Sequence, residues 1–418
     1  MIRLATLPPL RPILSVLHRQ RLMPVLVIAQ IALACAILTN ALFLLQRQVG
    51  PMLIPDGIVR GQLLLVDQLI QAQGRWTTAD VQSLKQTLQT IPGVRAVAPT
   101  LGIPMRQTMT FTLTLDSPAE VSVTATGFAG EGLVPALGLE LVRGRDFEDG
   151  DYARDGSLFG DDARRGIVPA ILTEALARTL FPDGDAIGGV LSDAGEPRYV
   201  VVGTVRRLLR YQLSELDDGQ AEYSMLIPNR VFEDLPILAF AVRTEPDARE
   251  TVRAQIQAVF ARQDGPQLMT GIAPIIVDYE SQRSDAFKTR RAAVWLLGTV
   301  CLVVTLITLI GIASLTGYWI EQRIRQIGIR RALGATRGDV LRHFLAENAL
   351  IVAAGLVPGM LAAYAINQWL MQHYAMARLP LAYLPIGAAL LWLLGQLAVL
   401  GPARRAAAVP PAVATRSA

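Results

Sequence analysis

Residues 25–45 read VLVIAQIALACAILTNALFLL, and residues 292–320 read AAVWLLGTVCLVVTLITLIGIASLTGYWI. Neither stretch contains a charge. About 20 apolar residues in a helix span the roughly 30 Å hydrocarbon core of a bilayer, so each is long enough to cross. Two further apolar blocks follow, one from Glu347 to about Ile366 and one between Arg378 and Arg404. A soluble core helix seldom stays apolar on all faces for this long. The chain is 52% hydrophobic, with a mean hydropathy of +0.38. The pattern predicts an α-helical membrane protein with four transmembrane helices. They fall in a 1+3 arrangement around one long segment of mixed polarity.

The first block has a basic lead, as a secretory signal does. Its 21 uncharged residues exceed the usual apolar length of such a signal, and Gln46-Arg47-Gln48 follows without a small-residue cleavage site. It is read as a retained helix. Basic residues mark the cytoplasmic side of a membrane helix. They gather at Arg3, Arg11, Arg19 and Arg21, at Arg323, Arg325, Arg330, Arg331, Arg337 and Arg342, and at Arg404, Arg405 and Arg416. Four crossings put all three groups on one side. Both termini are then cytoplasmic and residues 47–291 lie outside. That segment holds 32 acids and 25 bases, a net of −7, against 3 acids and 14 bases, a net of +11, elsewhere. The pI near 9.3 therefore points to anionic lipid or a cytoplasmic partner, not to nucleic acid.

The expected boundaries are an amphipathic cytoplasmic lead at 1–24, crossings at 25–46, 292–320, 347–366 and 379–403, a cytoplasmic segment at 321–346 and a tail at 404–418. In the lead, Leu10, Ile13, Leu14 and Leu17 share one helical face, which suits a helix in the membrane interface; a plain polar lead fits the residues as well. The outer segment reads as mixed α/β. Helices are predicted at 77–90, 174–180 and 249–262. Strands are predicted at 94–97, 109–115, 121–125, 167–172, 199–205, 237–243 and 272–277, from alternation such as Phe111-Thr112-Leu113-Thr114-Leu115. Gly50, Pro51, Pro55 and Gly57 are expected to end the first helix. Residues 143–166, rich in Gly, Asp and Arg, read as an exposed loop, and their acids match no calcium-loop spacing. The only cysteines, Cys35 and Cys301, lie inside apolar blocks, so no disulfide framework or cysteine metal site serves the outer segment.

Chemistry-bearing motifs are absent. There is no GxxxxGK(S/T) phosphate loop, no HExxH and no GxSxG elbow. The three histidines, His18, His343 and His373, lie far apart. The sequence points to a non-enzymatic chain with no catalytic, metal or cofactor residues of its own. Gln30, Asn40 and Gln396 are polar residues within apolar blocks, read as helix-packing groups. Gly355 and Gly359 form a GxxxG pair with Pro358 between them, a weak sign of close helix approach.

The segment 321–340 is the most informative short one: EQRIRQIGIRRALGATRGDV. The second long helix is expected to run on through Leu333. Gly334 can cap it in the left-handed conformation, and Thr336 with Asp339 can box the start of the next helix. Taken alone, its arginines fit a membrane-surface anchor.

Gln326-Ile327-Gly328-Ile329-Arg330-Arg331-Ala332-Leu333-Gly334-Ala335 resembles the EIGIRRALGA signature of the FtsX-like, MacB-like permease subunits of ABC transporters, with Gln326 where members usually carry glutamate. Leu137–Phe147 is similar to a GRxF segment of the family. Ile171–Phe181, with Ala186-Ile187-Gly188 and Val200–Val205, is similar to another of its runs, and Pro402-Ala403-Arg404-Arg405-Ala406 to its closing PARRAA. The resemblance covers nearly the whole chain.

The resemblance implies a bacterial inner-membrane subunit that binds no ATP itself. Its partners would be an ABC ATPase subunit, a second permease that is identical or paralogous, membrane lipid and, in some members, a periplasmic adaptor. Ile327, Gly328, Arg331, Leu333 and Gly334 would form or support the coupling contact with the ATPase. The expected action is export or extraction of an envelope substrate by mechanotransmission. The alternative is a non-transporting regulator whose outer domain controls a partner such as a cell-wall hydrolase.

Overall fold

The structure is a computed structural model that describes residues 22–72, 74–105, 111–152, 166–193, 196–210, 219–233, 236–262, 268–269, 271–374 and 378–408. The expected amphipathic lead falls outside these residues up to Arg21, as does the end of the tail. In chain order the elements are α1 (Leu22–Leu53), β1 (Leu63–Ile70), α2 (Thr78–Gln89), β2 (Val94–Leu101), β3 (Phe111–Asp116), β4 (Ser122–Gly130), α3 (Leu133–Leu137), β5 (Leu141–Gly144), β6 (Val168–Thr173), α4 (Glu174–Leu180), β7 (Val190–Asp193), β8 (Glu196–Val205), β9 (Ser224–Pro228), β10 (Ile237–Thr244), α5 (Arg249–Ala261), β11 (Ile275–Asp278), α6 (Tyr279–Ala286), α7 (Lys288–Gln322), α8 (Ile324–Ala332), α9 (Arg337–Tyr374) and α10 (Tyr383–Ala408). Two compact units result, one of Gly50–Thr289 and one of Met1–Val49 with Arg290–Ala418.

The first unit is mixed α/β. Strands β11, β1, β10 and β2 form an antiparallel sheet. Strand β2 then hands over to β4 through Thr100 and Leu101. Strands β4, β3, β7, β8, β6 and β9 close on themselves, because β9 returns parallel to β4. The run Leu63-Leu64-Leu65-Val66 is continuous rather than alternating because β1 is covered on both faces. Leu64 and Val66 pack with Val81 and Leu84 of α2 and Val252 of α5, while Leu63 and Leu65 pack with Tyr279 and Phe287. A strand buried on both faces reads as unbroken apolar sequence, so it gives no period-2 signal. Strand β1 was not expected for this reason, nor were β5, β7 and β9, which are short; β5 ends inside the stretch 143–166 read as a loop.

Local signals were more faithful. Helix α2 starts at a capping box in which Thr77 accepts from the Asp80 N–H and Asp80 accepts from the Thr77 N–H at 3.2 Å. Helix α4 occupies Glu174–Leu180, as expected. The last strand begins at Ile275, later than the expected 272. In the expected loop at 143–166, Asp149 and Asp151 are held by arginines. Arg145 grips Asp151 at 2.5 and 3.1 Å, and Arg230 donates to Asp149 at 2.6 Å. These acids are committed to ion pairs.

Among the described residues, the second unit holds four helices long and apolar enough to cross a membrane. Helix α1 is its hub, although some 240 residues separate it from the others in sequence. Gln30 donates to the Ile307 carbonyl of α7 at 3.1 Å, and Asn40 donates to the Ala363 carbonyl of α9 at 3.0 Å. The Gly355/Gly359 pair meets α1 closely. A Cβ at Gly359 would lie 2.6 Å from the Cys35 Cβ, and one at Gly355 would lie 2.9 Å from the Ile31 Cβ. Small residues let the backbones approach to that distance.

Helix α1 also runs on to Leu53, past Gly50 and Pro51, where the sequence suggested an earlier end. Pro51 cannot donate to the carbonyl four residues back. That carbonyl, of Arg47, instead accepts from Arg290 Nη1 at 3.1 Å.

Glu131 joins α2 to the loop after β9. Its carboxylate accepts from Gln82 at 2.8 Å and pairs with Lys85 at 2.9 Å and Arg230 at 2.8 Å. Burial alone would raise its pKa, but the hydrogen bonds from Gln82, Lys85 and Arg230 and the Lys85 charge outweigh it, and the pKa is lowered. A depressed carboxylate pKa contributes stability above the unfolded-state value, and that stability is lost as pH falls through the folded value. Unfolding followed by near-UV circular dichroism should therefore show the α/β unit weakening below about pH 4.3. Glu131→Gln should cost about 3 kcal/mol at neutral pH and flatten this part of the acid dependence. An unchanged acid profile in the variant would contradict the assignment.

Candidate functional site

The segment 321–346 folds as an elbow between α7 and α9. The sequence predicted one helix continuing through Leu333, but the helix breaks at Arg323, whose backbone leaves the helical region at φ −110° and ψ 8°. Its side chain is tied to α9 at the same point. Arg323 Nη1 donates to both carboxylate oxygens of Glu347 on α9, at 3.0 and 3.2 Å. Its guanidinium also stacks over Trp319, 4.5 Å from the ring centroid. Glu347 is buried and Arg323 is partly buried, so the guanidinium supplies the charge that a carboxylate taken out of water needs. The cation–π contact adds about 1 kcal/mol or more.

Helix α8 then presents two faces. Ile327 and Gly328 point inward. Ile327 shares a core with Ile320, Val340, Phe344, Ala403 and Ala407. On the other face Ile329 is 47% exposed and Leu333 is 83% exposed. They are four residues apart and so neighbours on the helix surface. Arg325, Gln326, Arg330 and Arg337 surround them and are exposed.

The turn follows the sequence expectation. Gly334 sits at φ +101°, a conformation that favours glycine. Thr336 and Asp339 exchange backbone hydrogen bonds at 3.0 and 3.2 Å to start α9.

Of the five expected coupling residues, Leu333 and Gly334 are thus at the surface and Arg331 is half-buried, whereas Ile327 and Gly328 are interior. Ile329 is the surface residue that the reading missed. Its signal was available in the helical spacing, because it lies four residues before Leu333 and off the face of Ile327. Gln326 is exposed three residues before Ile329, on the same side.

Residues 298–411 match the family model described as FtsX-like permease C-terminal. The chain carries an FtsX-like permease domain. Its sequence relatives include the macrolide export ATP-binding/permease protein MacB 1/2 of Paracoccus denitrificans (strain Pd 1222), 25% identical over 292 residues. That alignment covers 68% of this chain and 39% of the relative. They also include the ABC transporter permease YknZ of Bacillus subtilis (strain 168), named as uncharacterized, which is 24% identical over 295 residues, covering 69% of this chain and 66% of that protein. The aligned part of this chain thus spans about two fifths of the first relative and just under two thirds of the second. The periplasmic region of MacB from Actinobacillus actinomycetemcomitans, a crystal structure, overlaps 55% of this chain and 94% of its own at 12% identity and a TM-score of 0.33.

The FtsX-like domain contains both halves of the elbow and the Arg323–Glu347 pair that joins them. Glu347→Gln removes the charge that holds Arg323 and should loosen the elbow by about 3 kcal/mol. Limited trypsin digestion should then cut faster after Arg325 and Arg330, while far-UV circular dichroism stays unchanged. Equal cutting in wild type and variant would show that the pair does not hold the bend.

Proposed function

We infer that this chain is the membrane-spanning permease subunit of an ABC transporter, driven by ATP hydrolysis in a separate subunit. The observation that carries the reading is the apolar Ile329/Leu333 pair within a cationic rim, held on an elbow of an FtsX-like domain. A buried hydrophobic anchor ringed by polar groups is the usual energetic centre of a protein–protein contact. The arginines around it suit a docking face with acidic residues at its edge.

In this reading the four long helices cross a bacterial inner membrane in a 1+3 arrangement. The elbow and both termini are cytoplasmic, and residues 47–291 lie outside. The support is the charge asymmetry, +11 against −7, under the rule that basic segments stay inside. Leu333, Gly334 and Ile329 touch the ATPase. Arg331 lies beside the contact, and Ile327 and Gly328 hold α8 in place from within. A second permease, identical or paralogous, completes the assembly, with a periplasmic adaptor as a further candidate partner. ATP-driven closure on the cytoplasmic side moves α1 and α7 and, through them, the α/β unit. The output is export or extraction of an envelope substrate by mechanotransmission, without passage through the helices.

Leu333→Asp and Ile329→Asp place a charge on the docking face without touching the core. Each should reduce co-purification with the ATPase subunit recovered alongside the wild-type chain by at least about 10-fold, or roughly 1.4 kcal/mol. Thermal unfolding should not change. Gly328→Asp should instead perturb the elbow itself, because that position is interior. Wild-type recovery of the ATPase with Leu333→Asp would refute the docking assignment.

A further inference from the structure

The α/β unit contains a buried polar cluster where the end of α1 meets α6. Asp56, only 3% exposed, lies just beyond the end of α1. Its Oδ2 accepts from the Tyr279 hydroxyl at 2.9 Å, and Arg60 Nε donates to both its oxygens at 3.0 Å. Arg283 Nη1 lies 3.4 Å from the same Oδ2.

Arg283 has a second role. Its Nη2 donates to the carbonyls of Met52 and Ile54 at 3.2 and 3.1 Å, where α1 ends. Those carbonyls have no partner within the helix, and the partial negative charge of a helix C-terminus favours a cation there. One carboxylate faces two guanidinium groups, and the surplus positive charge rests on the end of α1.

Tyr279 and Arg283 belong to α6, the last element before α7. Helix α6 is itself tied to the sheet. Asp278 caps it by accepting from the Ser281 N–H at 2.7 Å, and Arg253 of α5 donates to Asp278 at 2.8 Å. Strand β11, immediately before, pairs with β1. The segments by which the chain enters and leaves the α/β unit are therefore bound to each other and to the sheet through one set of side chains.

We propose that the Asp56–Arg60–Tyr279–Arg283 cluster is a mechanical joint that makes the two connecting segments move the α/β unit as one rigid lever. Asp56 and Arg283 are its positioning residues. Asp56, Tyr279 and Arg283 are nearly fully buried while Arg60 is exposed on one side, so the hydrogen bonds among the first three are shielded and stronger than they would be in water. Without it, displacement of α1 or α7 would be absorbed by rotation in the short stretches Ile54–Val59 and Phe287. This deepens the mechanotransmission reading above and rests on it.

The test uses the full chain with its co-purified ATPase in lipid nanodiscs. A spin label is placed at exposed Gln89 of each permease copy, in a Cys35→Ala/Cys301→Ala background, and the inter-label distance is read with and without ATP and vanadate. Wild type should show a nucleotide-dependent distance change. Asp56→Asn and Arg283→Gln should lose most of it, while ATPase activity stays within about two-fold and the α/β unit unfolds cooperatively. Arg283→Lys, which keeps the charge at the end of α1, should restore part of the change. If Asp56→Asn does not fold, Tyr279→Phe carries the test, since it deletes one hydrogen bond and little volume. A wild-type distance change in folded Asp56→Asn or in Tyr279→Phe would overturn the joint alone. No distance change in the wild-type chain would overturn the mechanical reading and the joint with it.

Discussion

The α/β unit must begin and end at nearly the same place, and the Arg283 guanidinium is the group that meets this constraint. It reaches from α6 to the last carbonyls of α1 and to Asp56 beyond them. In the helical unit the same requirement appears at Gln30, which ties α1 to α7 through the Ile307 carbonyl, and at Arg290, which takes up the Arg47 carbonyl that Pro51 leaves open. Three polar contacts, each satisfying a backbone carbonyl, thus hold together segments more than 200 residues apart. In apolar surroundings an unmet carbonyl is costly, so these contacts are specific as well as favourable.

Polarity has a related use at the elbow. At the break in the helix the Arg323 side chain reaches Glu347 and Trp319. A long-range ion pair, and neither a proline nor a glycine, thus sits at the break. It lets α8 bury Ile327 while leaving Ile329 and Leu333 uncovered. A continuous helix would have carried that face onward without the turn. The two glycine types in this part of the chain also have separate roles. Gly334 is needed for its positive φ, and Gly355 and Gly359 for the absence of a side chain against α1.

The sequence was readable wherever one residue's surroundings are set by its near neighbours. Four apolar blocks, the Thr336–Asp339 cap, the Gly334 turn and helix α4 all depend on contacts within a few residues, or on bilayer-scale hydrophobicity. The elbow was located from the same local signals. Strand β1 was passed over because burial on both faces erases alternation. The short strands β5, β7 and β9 carry too few residues for a period to show.

What the sequence determined by itself is the presence of four long apolar helices, the mixed α/β character of the segment between them, and the position of the elbow. Tertiary structure alone decided which residues of the elbow face outward, that the helix stops at Arg323 and not at Leu333, and that α1 is the hub of its unit. It also decided the closure of β9 onto β4 and the meeting of Asp56 with Tyr279 and Arg283. The physical reason is the same in each case. These outcomes depend on partners such as Glu347, Ile307, Ala363 and Arg283, which lie from 24 to more than 300 residues away. Local propensity carries no information about a partner at that distance.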